Sequence, residues 1–284
     1  MSVQNQVRAP LRHALSVDVE DWYHDGGAPA DAPEIRVLDN TLRLLDVLER
    51  YAVRATFFFL GEVAGRFPTL VRRVADAGHE IGSHGYRHRA VPDVTRNEFR
   101  RDVADSLRLL EDCSGRAVRG YRAPYFSIKA DVRWPIEILA DAGLAYDSSV
   151  LPIDRPPGLE LVCPRAPYRH WNGLWELPVA VLQFAHFWHL PLASGGGLRV
   201  LPLRLLRRWL RRFERDVGAG VFYVHPWDFD VDAPTAPGPH RWLLRPGRRR
   251  ALERLECLLG EARFGAIADV FGERLDGEVH AARA

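Results

Sequence analysis

The chain has 284 residues, of which 47% are hydrophobic, and its formal net charge at pH 7 is +2. This length suits one large domain better than two, and the hydrophobic fraction is ample for a buried core. The near-neutral charge gives no support to nucleic-acid binding, and the sequence has no run of about 20 apolar residues that could span a membrane.

Cysteine usage and the N-terminal sequence bear on the cell compartment. Cys113, Cys163 and Cys257 lie far apart and form no CxxC pair. This is not the pattern of a disulfide framework, and it suggests a reducing compartment. Residues 1–12 contain no apolar run of the kind found in a signal peptide. We therefore expect a soluble cytoplasmic protein.

Strand and helix patterns alternate along the chain. Pro68 opens one predicted helix, and a capping box of Thr95 and Glu98 opens the next. Strands are predicted over residues 14–19, 54–60, 79–83, 118–121, 144–146, 221–224 and 264–267. Helices are predicted over residues 39–50, 68–77, 95–113, 135–142, 201–217 and 248–260.

This alternation predicts an α/β fold with a parallel sheet or barrel. We expect a single domain over residues 13–284, with most chemical motifs in 13–150 and the rest of the barrel in 151–284. Irregular insertions interrupt the second part: residues 152–178 are rich in proline, and residues 194–197 predict a flexible loop. Each chemical motif follows a predicted strand. We expect the motifs to converge, because the carboxyl ends of strands form the site in such folds.

Three acidic residues close the first predicted strand. Asp18 and Glu20 are two residues apart, so their side chains point to one side of the strand. Asp21 follows where the strand is expected to end, which leaves its direction open. One carboxylate could bind a metal while another stays free as a general base. The alternative interpretation is a solvated acidic turn.

His84 and His88 provide two imidazoles four residues apart. They can meet one metal ion if their segment is helical. Together with the acidic cluster they predict a site for a divalent metal. An isolated His-x3-His pair is more often coincidental. His24 and His79 are less well placed, and we interpret them as structural or peripheral.

Two further motifs carry charged side chains after strands. Arg122 stays protonated, so it can orient or stabilise anions, and the backbone N–H of Tyr125 could face a developing oxyanion. His225 could act as a general acid that protonates a leaving amine. Asp228 could set the tautomer of His225 or cap the next turn. Taken singly, each motif also fits a structural role.

In their order and positions, these motifs resemble those of the polysaccharide deacetylase family (NodB-homology, carbohydrate esterase 4-like). The resemblance covers about residues 13–274. Segments 175–178 and 225–228 are similar in particular to the branch associated with exosortase-linked (PEP-CTERM) exopolysaccharide clusters. The matching motifs lie at residues 16–21, 83–88, 122–125, 147–149 and 224–225.

The resemblance implies a distorted (β/α)7-type barrel that removes N-acetyl groups from the amino sugars of a polysaccharide. It implies one divalent metal ion, zinc or another transition ion, held by Glu20, His84 and His88. Many members carry two adjacent aspartates in the first motif, whereas here Val19 follows Asp18. Asp21 is therefore a competing metal ligand. The implied catalytic residues are Asp18 as base, His225 as acid, Arg122 as the holder of Asp18, and Tyr125 as the oxyanion donor.

Two alternative functions remain at this point. One is hydrolysis of a non-sugar amide, as in allantoinase-like relatives, and the other is a catalytically inactive carbohydrate-binding protein. Aromatic residues favour a saccharide, because their faces stack on pyranose rings, and we expect Trp22, Tyr125 and Trp227 to contact it. The wider aromatic set is Trp22, Tyr23, Tyr125, Trp171, Trp175 and Trp227.

One predicted helix carries a row of arginines. We interpret this face as solvated, with weak docking on an anionic membrane surface as a lesser alternative. Its members are Arg204, Arg207, Arg208, Arg211, Arg212 and Arg215.

Overall fold

The computed structural model describes residues 12–24, 35–129, 132–152, 164–184, 188–191, 194–232 and 247–276. Cys163, the stretch from 153 to 163 and residues 1–11 lie outside these ranges, so the expectations that involve them are not addressed below.

Eleven strands and nine α-helices lie within the described ranges. The strands are β1 Arg12–Val19, β2 Thr56–Phe59, β3 Glu80–Ser83, β4 Gly120–Tyr121, β5 Tyr146–Asp147, β6 Tyr168–Arg169, β7 Trp175–Glu176, β8 Val181–Phe184, β9 Trp188–Pro191, β10 Val221–Val224 and β11 Arg263–Gly265. The helices are α1 Val37–Arg50, α2 Gly61–Arg66, α3 Pro68–Asp76, α4 Arg96–Ser114, α5 Arg133–Asp141, α6 Gly195–Val200, α7 Leu203–Asp216, α8 Arg248–Glu261 and α9 Ile267–Asp276.

Nine of these strands form one curled sheet of half-barrel shape. Their spatial order is β10–β1–β2–β3–β4–β5–β7–β6, and β11 also pairs with β1. The described pairs are parallel except β6 with β7. Strands β8 and β9 form a separate antiparallel pair. The predicted α/β fold is confirmed, and its barrel is a distorted, half-open one.

Strand β1 shows how the sequence separates the core from the site. Leu15, Val17 and Val19 are buried in the main hydrophobic cluster between the sheet and the helices. Successive side chains of a strand point to opposite faces, so Ser16 and Asp18 point to the other side. Both are buried there too. At the carboxyl end of β1, the polar side chains therefore lie on the face opposite to the main hydrophobic cluster.

Several helix boundaries lie where the sequence predicts them, and two predicted segments differ from the structure. Thr95 and Glu98 form the predicted capping box at the start of α4, and Pro68 occupies the first turn of α3. Residues 194–197 are not a flexible loop, because Ser194 caps α6 by accepting a hydrogen bond from the backbone N–H of Gly197. The last predicted strand ends at Gly265, and α9 begins two residues later.

The arginine-rich helix α7 is amphipathic. Leu206, Leu210 and Phe213 are buried, whereas Arg208 and Arg211 on the other face are exposed. The helix therefore turns a solvated basic face outward, as interpreted from the sequence. Within the described ranges, none of the helices combines the length and the apolar character that crossing a lipid bilayer requires.

Candidate metal centre and active site

Glu20, His84 and His88 come together beyond the carboxyl ends of β1 and β3. One donor atom from each residue lies within 4.8 Å of the other two. Oε2 of Glu20 lies 2.7 Å from Nε2 of His88 and 3.6 Å from Nε2 of His84. A carboxylate and two imidazoles are a common ligand set for a catalytic divalent metal, which also needs an open position for water.

Neighbouring groups fix the orientation of two of these side chains. Nδ1 of His84 lies 2.8 Å from the backbone carbonyl of Arg122, so a proton on Nδ1 leaves the Nε2 lone pair facing the cluster. The indole N–H of Trp227 donates to Oε1 of Glu20 at 3.2 Å. Oε2 of Glu20 is buried, and no donor in the described part of the chain hydrogen-bonds to it with acceptable geometry. A buried carboxylate oxygen of this kind, beside two imidazoles, fits a bound cation.

The electrostatics of Glu20 agree with this fit. Burial by itself raises the pKa of this carboxyl group, but the neighbouring His88 and His84 imidazoles lower the pKa well below its usual range. Glu20 is therefore ionised at neutral pH, as a metal ligand must be.

Asp21 is not brought to this cluster. Its carboxylate accepts hydrogen bonds from the backbone N–H groups of Trp22, Arg36 and Val37, at 2.9, 2.7 and 3.0 Å. Arg36 and Val37 open α1, so Asp21 satisfies N–H groups that the helix itself leaves without partners. The position of Asp21 was open in the sequence, and the structure favours Glu20 as the acidic ligand.

The histidine segment at 84–88 is a loop and not the helix that would have brought the pair together by spacing. Gly85 adopts the left-handed conformation at φ 78°, and a Cβ there would lie 2.8 Å from the Asp102 carboxylate. That carboxylate accepts hydrogen bonds from the backbone N–H groups of Tyr86 and Arg87. Asp102 on α4 therefore shapes the loop, a role that no motif in the sequence indicated.

Asp18 lies beside the triad and is held by Arg122. The guanidinium donates to Asp18 Oδ1 and to the Ser16 hydroxyl, both at 2.7 Å, and also to the carbonyl and hydroxyl oxygens of Ser148. Arg122 is completely buried. A buried arginine with five donors requires such a set of acceptors, and it fixes the carboxylate in return. The guanidinium also contacts three aromatic rings, those of Phe58, Phe126 and Tyr223.

His225 faces the cluster from the end of β10. Oδ2 of Asp228 lies 3.0 Å from its Nδ1 and accepts a hydrogen bond from its backbone N–H at 2.8 Å, so Asp228 both orients the ring and caps the following turn. Burial lowers the pKa of His225, but the hydrogen bond and charge of Asp228, with Glu20, raise it to about 9. The imidazole is thus protonated near neutral pH. The Trp227 ring stacks on it at 4.6 Å.

A buried arginine that the sequence analysis missed supports this histidine. Arg199 on α6 lies 3.3 Å from Asp228 Oδ1 and 5.3 Å from the centre of the Trp227 ring. A Cβ on Gly195, at the start of the same helix, would lie 1.7 Å from Asp228. The three consecutive glycines were the available signal, because a glycine run allows one segment to approach another closely.

Tyr125 lies at the rim of the site in an uncommon backbone conformation. Its φ is 58°, and that of Phe126 is 49°, so two adjacent non-glycine residues occupy the left-handed region. Such conformations concentrate at functional sites. The Tyr125 hydroxyl donates to the carbonyl of His24 at 2.8 Å, and its ring contacts that of His88 at 4.4 Å. Burial lowers the pKa of His24 to about 4, which keeps this peripheral histidine neutral.

These residues line one cavity of about 260 Å³. Of the aromatics expected to contact substrate, Tyr125 is half exposed there, whereas Trp227 lines the cavity from a buried position. Trp22 is half-buried beside Tyr23, outside the described lining. The lining includes Asp18, Glu20, His84, His88, Tyr125, Ser194, Gly196, Arg199, His225 and Trp227.

The motif around Asp147 serves a different purpose. Asp147 on β5 and Glu176 on β7 form a fully buried pair of carboxyl groups. The Ser149 hydroxyl donates to Asp147, the Val150 N–H donates to Glu176, and the His170 ring lies 3.4 Å from Glu176. Burial raises the pKa of both groups, that of Glu176 to about 7. The pair therefore keeps a proton well above the usual carboxyl range.

Residues 30–146 match the family described as Polysaccharide deacetylase. This part of the chain is therefore similar to polysaccharide deacetylases. Residues 148–272 match a domain of unknown function, DUF3473. The deacetylase match begins after Asp18 and Glu20, and the second match contains His225 and Asp228, so the assembled site draws on more of the chain than either match covers.

Two curated relatives carry deacetylase names. A peptidoglycan-N-acetylglucosamine deacetylase of Bacillus cereus is 37% identical over 108 residues, which are 38% of this chain and 38% of that protein. A chitooligosaccharide deacetylase of Sinorhizobium fredii is 34% identical over 143 residues, 49% of this chain and 61% of that protein. The matched segments thus cover less than two thirds of these polysaccharide deacetylases.

Solved structures of proteins similar to this chain show the same fold. One from Mycobacterium smegmatis, named for the polysaccharide deacetylases, is 23% identical and has a TM-score of 0.66, with coverage of 96% of this chain and 93% of that chain. A carbohydrate esterase family 4 pseudoenzyme from Bacillus anthracis is 14% identical with a TM-score of 0.52, and the match covers 92% and 65% of the two chains. The fold occurs with and without activity, so function must be argued from the site.

Proposed function

We propose that the protein is a metal-dependent N-deacetylase of acetylated saccharides. One observation carries this proposal: a carboxylate–histidine–histidine triad lines one cavity together with an aspartate held by arginine and a histidine held by aspartate. Amide hydrolysis needs a proton acceptor for the attacking water and a proton donor for the departing nitrogen. The site supplies one of each beside a metal position.

The residues of the chain divide this work. A divalent metal held by Glu20, His84 and His88 would, when bound, polarise the acetamide carbonyl and make water more acidic. Asp18, fixed by Arg122, takes a proton from the attacking water. His225, protonated through Asp228, donates a proton to the sugar nitrogen as the carbon–nitrogen bond breaks. Acetate and a free amino sugar are the products.

Tyr125 is the proposed oxyanion donor. Its left-handed backbone conformation and its place in the cavity lining support a backbone N–H directed at the reacting carbonyl oxygen. Removal of one such donor typically costs about 10²–10³ in rate.

We further propose zinc as the metal and an exopolysaccharide in biosynthesis as the substrate. The ligand set of two imidazoles and one carboxylate supports zinc. The resemblance of segments 175–178 and 225–228 to the exosortase-linked branch supports the exopolysaccharide. A non-sugar amide is the competing substrate, and the half-exposed ring of Tyr125 at the rim favours a sugar over it. The complete set of acid, base and metal ligands argues against an inactive binding protein.

The test is acetate release from a panel of N-acetylated saccharides by the zinc-loaded protein, with allantoate formation from allantoin measured separately for the non-sugar amide. The proposal expects release from at least one saccharide, stoichiometric with new amino groups, and loss of release in Asp18→Asn. Binding of the saccharides without any release would support the inactive alternative. Turnover of allantoin alone would support the non-sugar amide as the substrate.

A further inference from the structure

We propose that a second pocket next to the active site binds an anionic group of the saccharide, so that the natural substrate is an anionic N-acetylated saccharide. This inference rests on the deacetylase function proposed above. The pocket, here called the arginine pocket, has a volume of about 680 Å³. Its described lining includes five arginines, Arg199, Arg248, Arg249, Arg250 and Arg254.

The lining of the arginine pocket is rich in positive charge, although Arg199 is paired with Asp228. No Asp or Glu is among the described residues that line it. Because the net charge of the whole chain is only +2, this is a local concentration of positive charge and not a general basic character.

Backbone carbonyls hold Arg254 in place. It donates to the carbonyls of Leu198 and Arg199, at 2.6 and 2.7 Å, and Arg248 also donates to the carbonyl of Asp230 at 3.2 Å. A carbonyl dipole positions the Arg254 guanidinium but does not cancel its charge. On other surfaces of the described chain arginines pair with carboxylates, for example Arg50 with Glu256, Arg96 with Glu137 and Arg207 with Glu261.

Arg199 connects the arginine pocket to the active site. It belongs to the lining of both cavities. Its guanidinium lies 3.3 Å from Asp228, which orients the proposed acid His225, and its backbone carbonyl accepts from Arg254. A saccharide whose N-acetyl group lies at the metal position could therefore place a neighbouring substituent in the arginine pocket.

Guanidinium groups recognise planar or tetrahedral oxyanions through paired N–H donors. The shared chemistry of the expected group is an oxyanion, either a phosphate ester or a uronic acid carboxylate. Arg249 and Arg250 are exposed, so they are accessible to such a group. Their removal is also less disruptive than that of the buried Arg199 and Arg248.

The experiment compares kcat/KM on three tetrasaccharides of equal length: neutral tetra-N-acetylchitotetraose, its 1-phosphate, and an N-acetylated tetrasaccharide with one uronic acid. The wild type should prefer one anionic substrate over the neutral one by on the order of tenfold at low ionic strength, and salt should reduce this ratio. Arg249→Gln/Arg250→Gln should bring the ratio close to one. The matched control is Arg208→Gln/Arg211→Gln, which removes the same charge from the exposed face of α7 and should leave the ratio unchanged.

Binding measurements separate this inference from the proposed function. Calorimetric titration with inorganic pyrophosphate and with glucuronate needs no turnover, and one of them should bind the wild type and lose affinity in Arg249→Gln/Arg250→Gln. Normal turnover without a preference for either anionic substrate would overturn the arginine pocket as a substrate site, as would an equal loss in the control variant. Absence of turnover on every saccharide, with anion binding retained, would overturn the deacetylase proposal instead. Binding only to phosphatidylglycerol vesicles would assign these arginines to a membrane surface.

Discussion

Asp18 and Glu20 lie two residues apart on one side of the chain, yet their carboxylates have different partners. Asp18 accepts from Arg122, whereas Glu20 faces two histidines and accepts from Trp227. A carboxylate bound to a permanent cation is held in place but keeps lone pairs for a proton. A carboxylate among imidazoles is placed to share a cation with them. The difference in partners, and not in residue type, separates the base from the ligand.

Asp18→Asn should lower kcat by about 10²–10⁴-fold while the metal content stays near one per chain, because an amide cannot accept the proton but keeps the shape of the side chain. Glu20→Gln should lower the metal content instead. Elemental analysis and acetate release on the same preparations measure both quantities. If Asp21→Asn removes the metal and Glu20→Gln does not, the assignment of the acidic ligand is wrong.

His225→Ala should reduce the hydrolysis of N-acetylated saccharides by about 10²–10⁴-fold with little loss of metal. The loss should be much smaller for an aryl acetate, since an aryl oxide leaves without being protonated and an amine does not. The two substrates, assayed with one enzyme preparation, serve as controls for each other. Equal losses on both would assign His225 to substrate positioning.

At the scale of elements, α6 holds Asp228 in place and thereby positions His225, the proposed acid. Gly195 approaches Asp228 so closely that a Cβ would lie 1.7 Å from its carboxylate, whereas a Cβ on Gly196 would meet only Ser194 and Arg199, at 3.4 and 3.7 Å. Gly195→Ala should therefore displace Asp228 and lower kcat by about tenfold or more, because a misplaced acid transfers its proton poorly. Gly196→Ala, the matched variant in the same helix, should lose far less. The comparison is of kcat in variants with similar thermal unfolding midpoints, and equal losses would argue against the role of α6.

The paired strands β5 and β7 bury Asp147 and Glu176 together, and this should make stability depend on pH. Burial raises the pKa of Glu176 to about 7, above the ordinary value of 4.5, so the folded state binds more protons between these values. The stabilisation that comes from this bound proton is complete below pH 4.5 and is lost as the pH rises through 7. His170 and Arg122 also act on this pair and moderate the effect.

Glu176→Gln should accordingly raise the free energy of unfolding, relative to wild type, more at pH 8 than at pH 5. The two effects should differ by on the order of a few kcal/mol, because the amide cannot ionise beside Asp147. The amide oxygen can still accept from the Val150 N–H. Urea unfolding of wild type and variant at both pH values measures these free energies of unfolding. Parallel pH profiles for the two proteins would show that the pair has no shared proton.

The sequence predicted the elements that have a local signal and missed those that depend on distant contacts. The Thr95–Glu98 capping box and the proline at residue 68 set helix starts, and the structure has both. The expectation that residues at the carboxyl ends of strands converge placed Asp18, His84 and His225 correctly in one cavity, and Arg122 lies next to it and holds Asp18. No spacing rule could show that 84–88 is a loop shaped by Asp102, that Asp21 would cap α1, or that Arg199 would reach Asp228. Each of these depends on a partner 15 or more residues away.

At the scale of the whole molecule, the two halves of the chain complete each other. Strand β1 pairs with β2 and also with β10 and β11 from the far end of the chain. Strand β5, at the boundary between the two family matches, pairs with β7. The metal ligands come from the first half, whereas His225, Trp227 and Arg199 come from the second. We therefore propose that residues 13–284 fold as one domain even though two families match separate segments.

One cooperative unit should unfold in one transition. Differential scanning calorimetry of the metal-free protein should give a calorimetric enthalpy close to the van't Hoff enthalpy. A fragment that ends at residue 150 should not fold, because β1 would lose its pairing with β10 and β11 and the buried Asp18–Arg122 pair would be exposed to water on one side. Mixing it with a fragment that begins at residue 164 should restore near-native circular dichroism if association compensates for the lost connection. Two resolved transitions, or a fragment of residues 12–150 that folds alone and binds one metal, would show that the first half is an independent domain to which the second half was added.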